Sequence, residues 1–179
     1  MGLEYITSQI EDLRTQAGNI ATEYAAEIRG IDNDANLSEA GRKSLRHETR
    51  ESLKPRIEEL REREKSLIDR AISERQSRIE SRSGVTSTDI IAFRDAQDRA
   101  DRIEKQTDAL PILDRALRQG DTSLAHAIFR RGLESNWRQV TDRFTADNPD
   151  LIETVSELRQ LVRIKEATFN RTIAYALLG

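Results

Sequence analysis

From Leu3 to Ile31, apolar side chains recur at Leu3, Ile6, Ile10, Leu13, Ala17, Ile20, Tyr24, Ile28 and Ile31. The steps between them mostly alternate between three and four, which lays them along one narrow seam of an α-helix. A seam that narrow cannot bury itself, so the helix needs a neighbour along its length. Gly18 weakens the middle by about 1 kcal/mol relative to alanine. The seam continues on both sides of it, and the helix is expected to run through.

The neighbour is written next in the chain. Asp32-Asn33-Asp34-Ala35-Asn36-Leu37 holds four Asx residues, which favour caps and turns over helix interiors. Ser38 reads as an N-cap, with Glu39 placed at the positive end of the helix dipole. A second, longer helix is expected to about Arg82, with a thin stripe of Leu45, Leu53, Ile57, Leu60, Leu67, Ala71 and Ile79. Pro55 lies inside it and predicts a kink or brief interruption after Leu53. Two seam-bearing helices with so short a connection make an antiparallel hairpin. Residues 1–35 hold 2 basic and 7 acidic side chains, and residues 36–82 hold 13 basic and 10 acidic. Opposite net charge helps the two helices pair, although each surface ion pair contributes well under ~1 kcal/mol.

Ser83-Gly84-Val85 marks a boundary, with Gly84 suited to a helix C′ position. The expected organisation is an elongated hairpin over 1–84, an interaction arm, and a compact helical bundle over 85–179. In the bundle, Thr86-Ser87-Thr88-Asp89 offers an N-cap for a helix carrying Ile90, Phe93, Ala100 and Ile103. Pro111 reads as the first residue of a short helix that Gly120 closes. Asp121 caps the next, with Leu124, Ile128 and Phe129 inward. Asn136 restarts the chain into a helix bearing Trp137, Val140 and Phe144. Asn148-Pro149-Asp150 opens a terminal helix of up to ~28 residues with the seam Leu151, Val155, Leu158, Val162, Phe169 and Ile173. Trp137, Phe129, Phe144 and Phe169 are the expected core. The fold class is all-α.

Composition agrees and narrows function. Hydrophobic residues are 36% and charged residues 34%, against roughly 45–50% and 25% in ordinary domains. That balance fits long, exposed helices better than a compact globule. Acidic and basic residues interleave to a net charge of −3, which argues against a strong autonomous nucleic-acid binder. With no cysteine there is no disulfide or thiolate metal site. No apolar run approaches the ~20 residues of a membrane span. The N-terminus has no signal-peptide pattern, so synthesis in the cytoplasm is expected.

The candidate chemical motifs read as structure. Asp32-x-Asp34-x-Asn36 opens like a calcium loop, but the glycine and glutamate required at its sixth and twelfth positions are Leu37 and Lys43. His47 and His126 fall in different halves, and only Glu51 stands four residues from His47. There is no Gly-x-Ser-x-Gly elbow and no glycine-rich phosphate loop. Catalytic, cofactor-binding and metal residues are therefore none, and the expectation is a non-enzyme. The helix from Arg42 to Arg82 interleaves Arg61, Arg63, Arg70, Arg75 and Arg78 with Glu58, Glu59, Glu62, Glu64 and Glu74. That pattern reads as a solvated, ion-paired surface. Asn170-Arg171-Thr172 is a glycosylation sequon without a secretory context.

Asn36-Leu37-Ser38-Glu39-Ala40-Gly41-Arg42, followed by an Arg/Glu-rich helix, resembles small helical head, neck or scaffold-type assembly proteins of tailed actinobacteriophages. The resemblance covers roughly residues 1–82, and Leu117 to Trp137 fits the helical C-terminal parts of that group. The preference for arginine over lysine agrees with a GC-rich host. The resemblance implies a structural component of the virion, at the capsid or head–tail junction, present as a homo-oligomer and bound to capsid or portal and neck proteins. It carries over no catalytic residue. The alternatives are a transient capsid scaffold, or a free helical adaptor touching nucleic acid through the Arg-rich helix.

Overall fold

The computed structural model describes residues 2–81 and 90–177. The boundary at Ser83-Gly84-Val85, the cap at Thr86–Asp89 and Leu178 lie outside them. Every regular element among the described residues is helical: α1 (Leu3–Asn33), α2 (Glu39–Ser81), α3 (Ile90–Asp101), α4 (Gln106–Gln119), α5 (Thr122–Glu134), α6 (Arg138–Asp147), a 3-10 turn (Pro149–Leu151), α7 (Ile152–Glu166) and α8 (Thr168–Ala174). The protein is all-α, as its composition and periodicity require. No helix among the described residues is long and apolar enough to cross a membrane.

The chain forms two compact units, one of residues 1–73 with 159–179 and one of residues 74–158. This is a different cut from a division at 84/85, because the last stretch of the chain belongs with the hairpin.

In the first unit α1 buries Ile6, Ile10, Ala17, Ile20, Tyr24 and Ile28. Ser38 caps α2 through its Oγ, which accepts from the Gly41 N–H at 3.1 Å, and its carbonyl accepts from the Arg42 N–H. The turn before it is tied by Asp34 Oδ1, which accepts from the Asn36 N–H at 2.8 Å. Asp32 pairs with Arg46, Glu27 with Thr49 and Arg14 with Glu64. Partners climb α2 as they descend α1, so the two helices are antiparallel. Two expectations for α2 change. It runs uninterrupted through Pro55, since one lost backbone bond is a small fraction of a 43-residue ladder and the flanking seam is packed. Leu45 is exposed, while Ile68 and Ile72 join Ile57, Leu60, Ala71 and Ile79 on the buried side.

Ala17, Ile20, Ile57, Leu60 and Tyr175 form one buried cluster, flanked by Leu13, Leu53, Ala174 and Leu177. A third segment, from the end of the chain, thus fills the space between the two hairpin helices.

In the second unit α5 packs against α3, α4 and α6, and α4 also meets α6. Phe129 stacks on Phe144 with centroids 4.2 Å apart, and both are buried. Gly132 lets α6 approach: a Cβ there would stand 2.8 Å from Val140 Cγ1. Asp121 caps α5, its carboxylate accepting from the Leu124 N–H at 3.0 Å. Helix α4 starts at Gln106, ahead of Pro111, which sits inside it. Only the bond to the Thr107 carbonyl is lost there, a single bond in a 14-residue helix. Gly120 ends α4 in the left-handed region (φ 68°), with Asp121 N–H bonded to the Ala116 carbonyl. Asn136 (φ 55°) ends α5 the same way, with Trp137 N–H bonded to the Gly132 carbonyl.

Two expected core aromatics are elsewhere. Trp137 is half-buried beneath the Arg131 guanidinium, 5.6 Å from the ring centre. Phe169 is 74% exposed. The expected ~28-residue terminal helix is divided at Ala167 into α7 and α8, where Arg171 and Tyr175 turn inward to Glu64.

Candidate functional site: a saturated buried carboxylate

Counting along α2 in steps of three and four from Ile57 passes through Leu60, residue 64, Ile68, Ala71, residue 75 and Ile79. Residues 64 and 75 are a glutamate and an arginine, and both side chains are wholly buried. Their surroundings differ, and each lies within one unit.

Glu64 is the hub of the first. Arg14, from α1, grips it with both ends of its guanidinium: Nη2 donates to Oε1 at 2.8 Å and Nε to Oε2 at 3.0 Å. Arg171, from α8, donates its Nε to Oε1 at 3.1 Å. The Tyr175 hydroxyl donates to Oε2 at 2.8 Å. Four donors fill the four lone-pair sites of the carboxylate. Arg171 also donates through Nη2 to the carbonyls of Ile164 and Lys165, each at 3.2 Å, which are acceptors in the last turn of α7.

The protonation states follow from this geometry. Burial pushes the Glu64 carboxyl up, but the hydrogen bonds from Arg14, Tyr175 and Arg171 outweigh it and hold the carboxyl below its ordinary value. Burial and the bond to Glu64 push the Tyr175 phenol well above its ordinary value. The hydrogen bond to Glu64 raises Arg14. Near neutral pH the cluster thus holds a carboxylate against the Arg14 guanidinium and a neutral phenol. With every lone pair engaged, the carboxylate has no site left to accept a substrate proton or bind a cation while the cluster is closed. Its chemistry is adhesive: it fastens the end of the chain to the hairpin.

In the second unit Arg75 donates its Nε to Glu157 at 3.0 Å and approaches Glu74 at 3.5 Å. This is a charged hydrogen bond between α2 and α7, again with the arginine side chain buried.

The residues singled out in the sequence do not converge. Asp32 pairs with Arg46, and the Asp34 carboxylate closes its own turn. His47 is exposed. His126 is half-buried edge-on to Phe144, ring centres 4.8 Å apart, and burial lowers its pKa below the ordinary value. Among the described residues no group of three His, Cys, Asp or Glu side chains is placed to hold a metal. Basic side chains of α2 pair with its acidic ones: Arg63 with Glu59, Lys65 with Glu62 and Lys54 with Glu51. An open groove of about 680 Å³ along the hairpin has Leu13 and Leu67 in its lining, with Asp12, Glu62, Arg63 and Arg70.

Sequence reasoning missed Glu64 and Arg75 because their residue types suggested solvent. Their spacing, in register with the apolar stripe, was the signal. No family model, curated protein or solved structure matches this chain.

Proposed function

We propose that this protein is a non-enzymatic assembly component that acts through helix–helix contacts, in the narrower reading a multi-copy structural protein of a tailed-phage particle at the capsid or head–tail junction. One observation carries the assembly role: α8 presents Phe169 and Ile173, one turn apart, at 74% and 54% exposure. Large apolar side chains so placed on one helical face are what a partner helix buries. Tyr5, at 52% exposed on α1, adds to the apolar surface of the same unit. The Glu64 carboxylate supports the non-enzymatic reading, since its four hydrogen bonds all come from the protein itself. The phage reading rests on the resemblance of residues 1–82.

Quantitative mass spectrometry of particles purified from the genome that encodes the chain tests it. The chain is expected at a fixed multiple-copy ratio to the major capsid protein, in mature particles. Presence in precursor shells alone marks a scaffold, and absence from both overturns the reading. The mixed charge of α2 leads to weak duplex-DNA binding at both about 50 and 200 mM salt. Submicromolar binding that falls steeply with salt would favour the nucleic-acid adaptor instead.

A further inference from the structure

The break at Ala167 runs against its own sequence. Alanine is the best helix former and among the poorest N-caps, and Ala167 makes no side-chain cap for α8. The apolar seam also runs on across it, since Leu158, Val162, Phe169 and Ile173 keep helical spacing. The bend turns that seam over. Leu158 is buried, but Phe169 and Ile173 face solvent, while Arg171 and Tyr175 take the inward positions on Glu64.

The backbone explains how the bend persists. In a continuous helix the Thr168 and Phe169 N–H groups would donate to the carbonyls of Ile164 and Lys165. Here the first bond of α8 is Arg171 N–H to the Ala167 carbonyl, and the Arg171 guanidinium takes both carbonyls instead. A side-chain cap from within the same segment therefore stands in for two of the backbone bonds that a straight helix would make for itself. The contacts that hold residues 168–177 in the hairpin groove, which are Arg171 and Tyr175 on Glu64 and Ala174 and Leu177 on the apolar cluster, do not depend on which copy of the chain supplies the segment.

We propose that residues 168–177 exchange between two copies of this chain: α7 and α8 straighten into one helix, and each segment fills the Glu64 groove of the other copy. This rests on the reading that the protein works by self-association, and it names the segment and the receptor. In the exchanged form Arg171 and Tyr175 meet the other copy's Glu64, and Thr168 and Phe169 regain backbone bonds. Phe169 and Ile173 return to the seam of Leu158 and Val162. The closed and exchanged forms share their clamp contacts and differ at the hinge, which is the condition for low-cost domain swapping.

The test is size-exclusion chromatography with light scattering on the full chain, refolded at about 1 mM and then diluted, beside two hinge variants. Thr168→Pro suits the first position of α8, whose N–H has no helical partner, and forbids the straight helix. Ala167→Asp gives the bent form the cap it lacks. The unmodified chain is expected to give a dimer that persists for hours after dilution, and both variants should lower the dimer-to-monomer ratio at least tenfold. If Thr168→Pro does not fold, Ala167→Asp alone decides. A dimer undiminished in the folded variants overturns the exchange and leaves self-association standing. A chain that stays monomeric at every concentration also overturns it, and the particle composition then judges the assembly role independently.

Discussion

The two units of this protein solve the same problem with different materials. The 74–158 unit is held by contiguous short helices around stacked Phe129 and Phe144, with Gly132 removed from the way of Val140. The 1–73 and 159–179 unit has a seam of isoleucine, leucine and alanine with little aromatic volume, and it is closed by a segment from the far end of the chain. Dense aromatic burial in the 74–158 unit is joined by a long-range bond from the buried Arg75 to Glu157. Where the seam is thin, a saturated carboxylate and a distant segment complete the core. The first unit therefore depends on residues beyond 158, whose Arg171 and Tyr175 close the Glu64 cluster.

The largest expected effect separates the two outright. A fragment of residues 74–158 should unfold cooperatively by circular dichroism, whereas residues 1–73 without 159–179 should show no cooperative transition as a monomer. A cooperative monomeric 1–73 would show that the third segment is dispensable.

Next come single side chains. Glu64→Ala leaves two guanidiniums facing each other, and breaking a buried pair of this kind costs ~3–5 kcal/mol. Phe144→Ala removes the stacked ring and costs a similar ~3–5 kcal/mol in the other unit. Trp137→Ala should cost clearly less than Phe144→Ala, because its ring is half-buried. Denaturant midpoints of the full chain, read by signals specific to each unit, check all three. A Glu64→Ala cost below about 1 kcal/mol would reduce the clamp to a surface contact.

Acid should also distinguish the units. His126 has a lowered pKa, so the unfolded chain binds its proton first, and stability of the 74–158 unit falls as pH drops below the ordinary value of 6.5. Glu64 is lowered as well: its contribution is complete above the ordinary 4.5 and is lost as pH falls through the folded value. Tyr175 acts at the other extreme, since its raised pKa gives a contribution present below the ordinary 10.0 and lost at higher pH. His126→Gln should remove the first acid-sensitive step only, and Tyr175→Phe should remove the alkaline one. A single shared acid transition in the unmodified chain would erase this difference between the units.

The smallest effects concern glycines. Gly132→Ala forces Val140 to move and should destabilise by ~1–3 kcal/mol despite better helix propensity. At Gly18 a Cβ meets nothing within 4 Å, so alanine should stabilise α1 by up to about 1 kcal/mol. Thermal melts of both variants rank the tightness of packing at the two sites.

Much of the fold was legible in one dimension. The α1 seam, the Asp34 turn, the Ser38 and Asp121 caps and the Gly120 stop each follow from local rules, because spacing, capping oxygens and left-handed backbone are properties of a few adjacent residues. Phe129, Phe144, Val140, Leu124 and Ile128 fell inside as their spacing required. Glu64 and Arg75 were legible by register and hidden by type, since burial of a charge depends on partners that periodicity cannot supply.

What the sequence by itself determined is the set of helices and the antiparallel sense of the hairpin, for both are decided over a few turns of chain. What only the tertiary structure decided is the course of residues 167–177. By propensity and seam they belong to one straight helix. Arg171 and Tyr175 instead find Glu64, more than a hundred residues away, and their two hydrogen bonds to a desolvated carboxylate outweigh the local preference of Ala167 for helix.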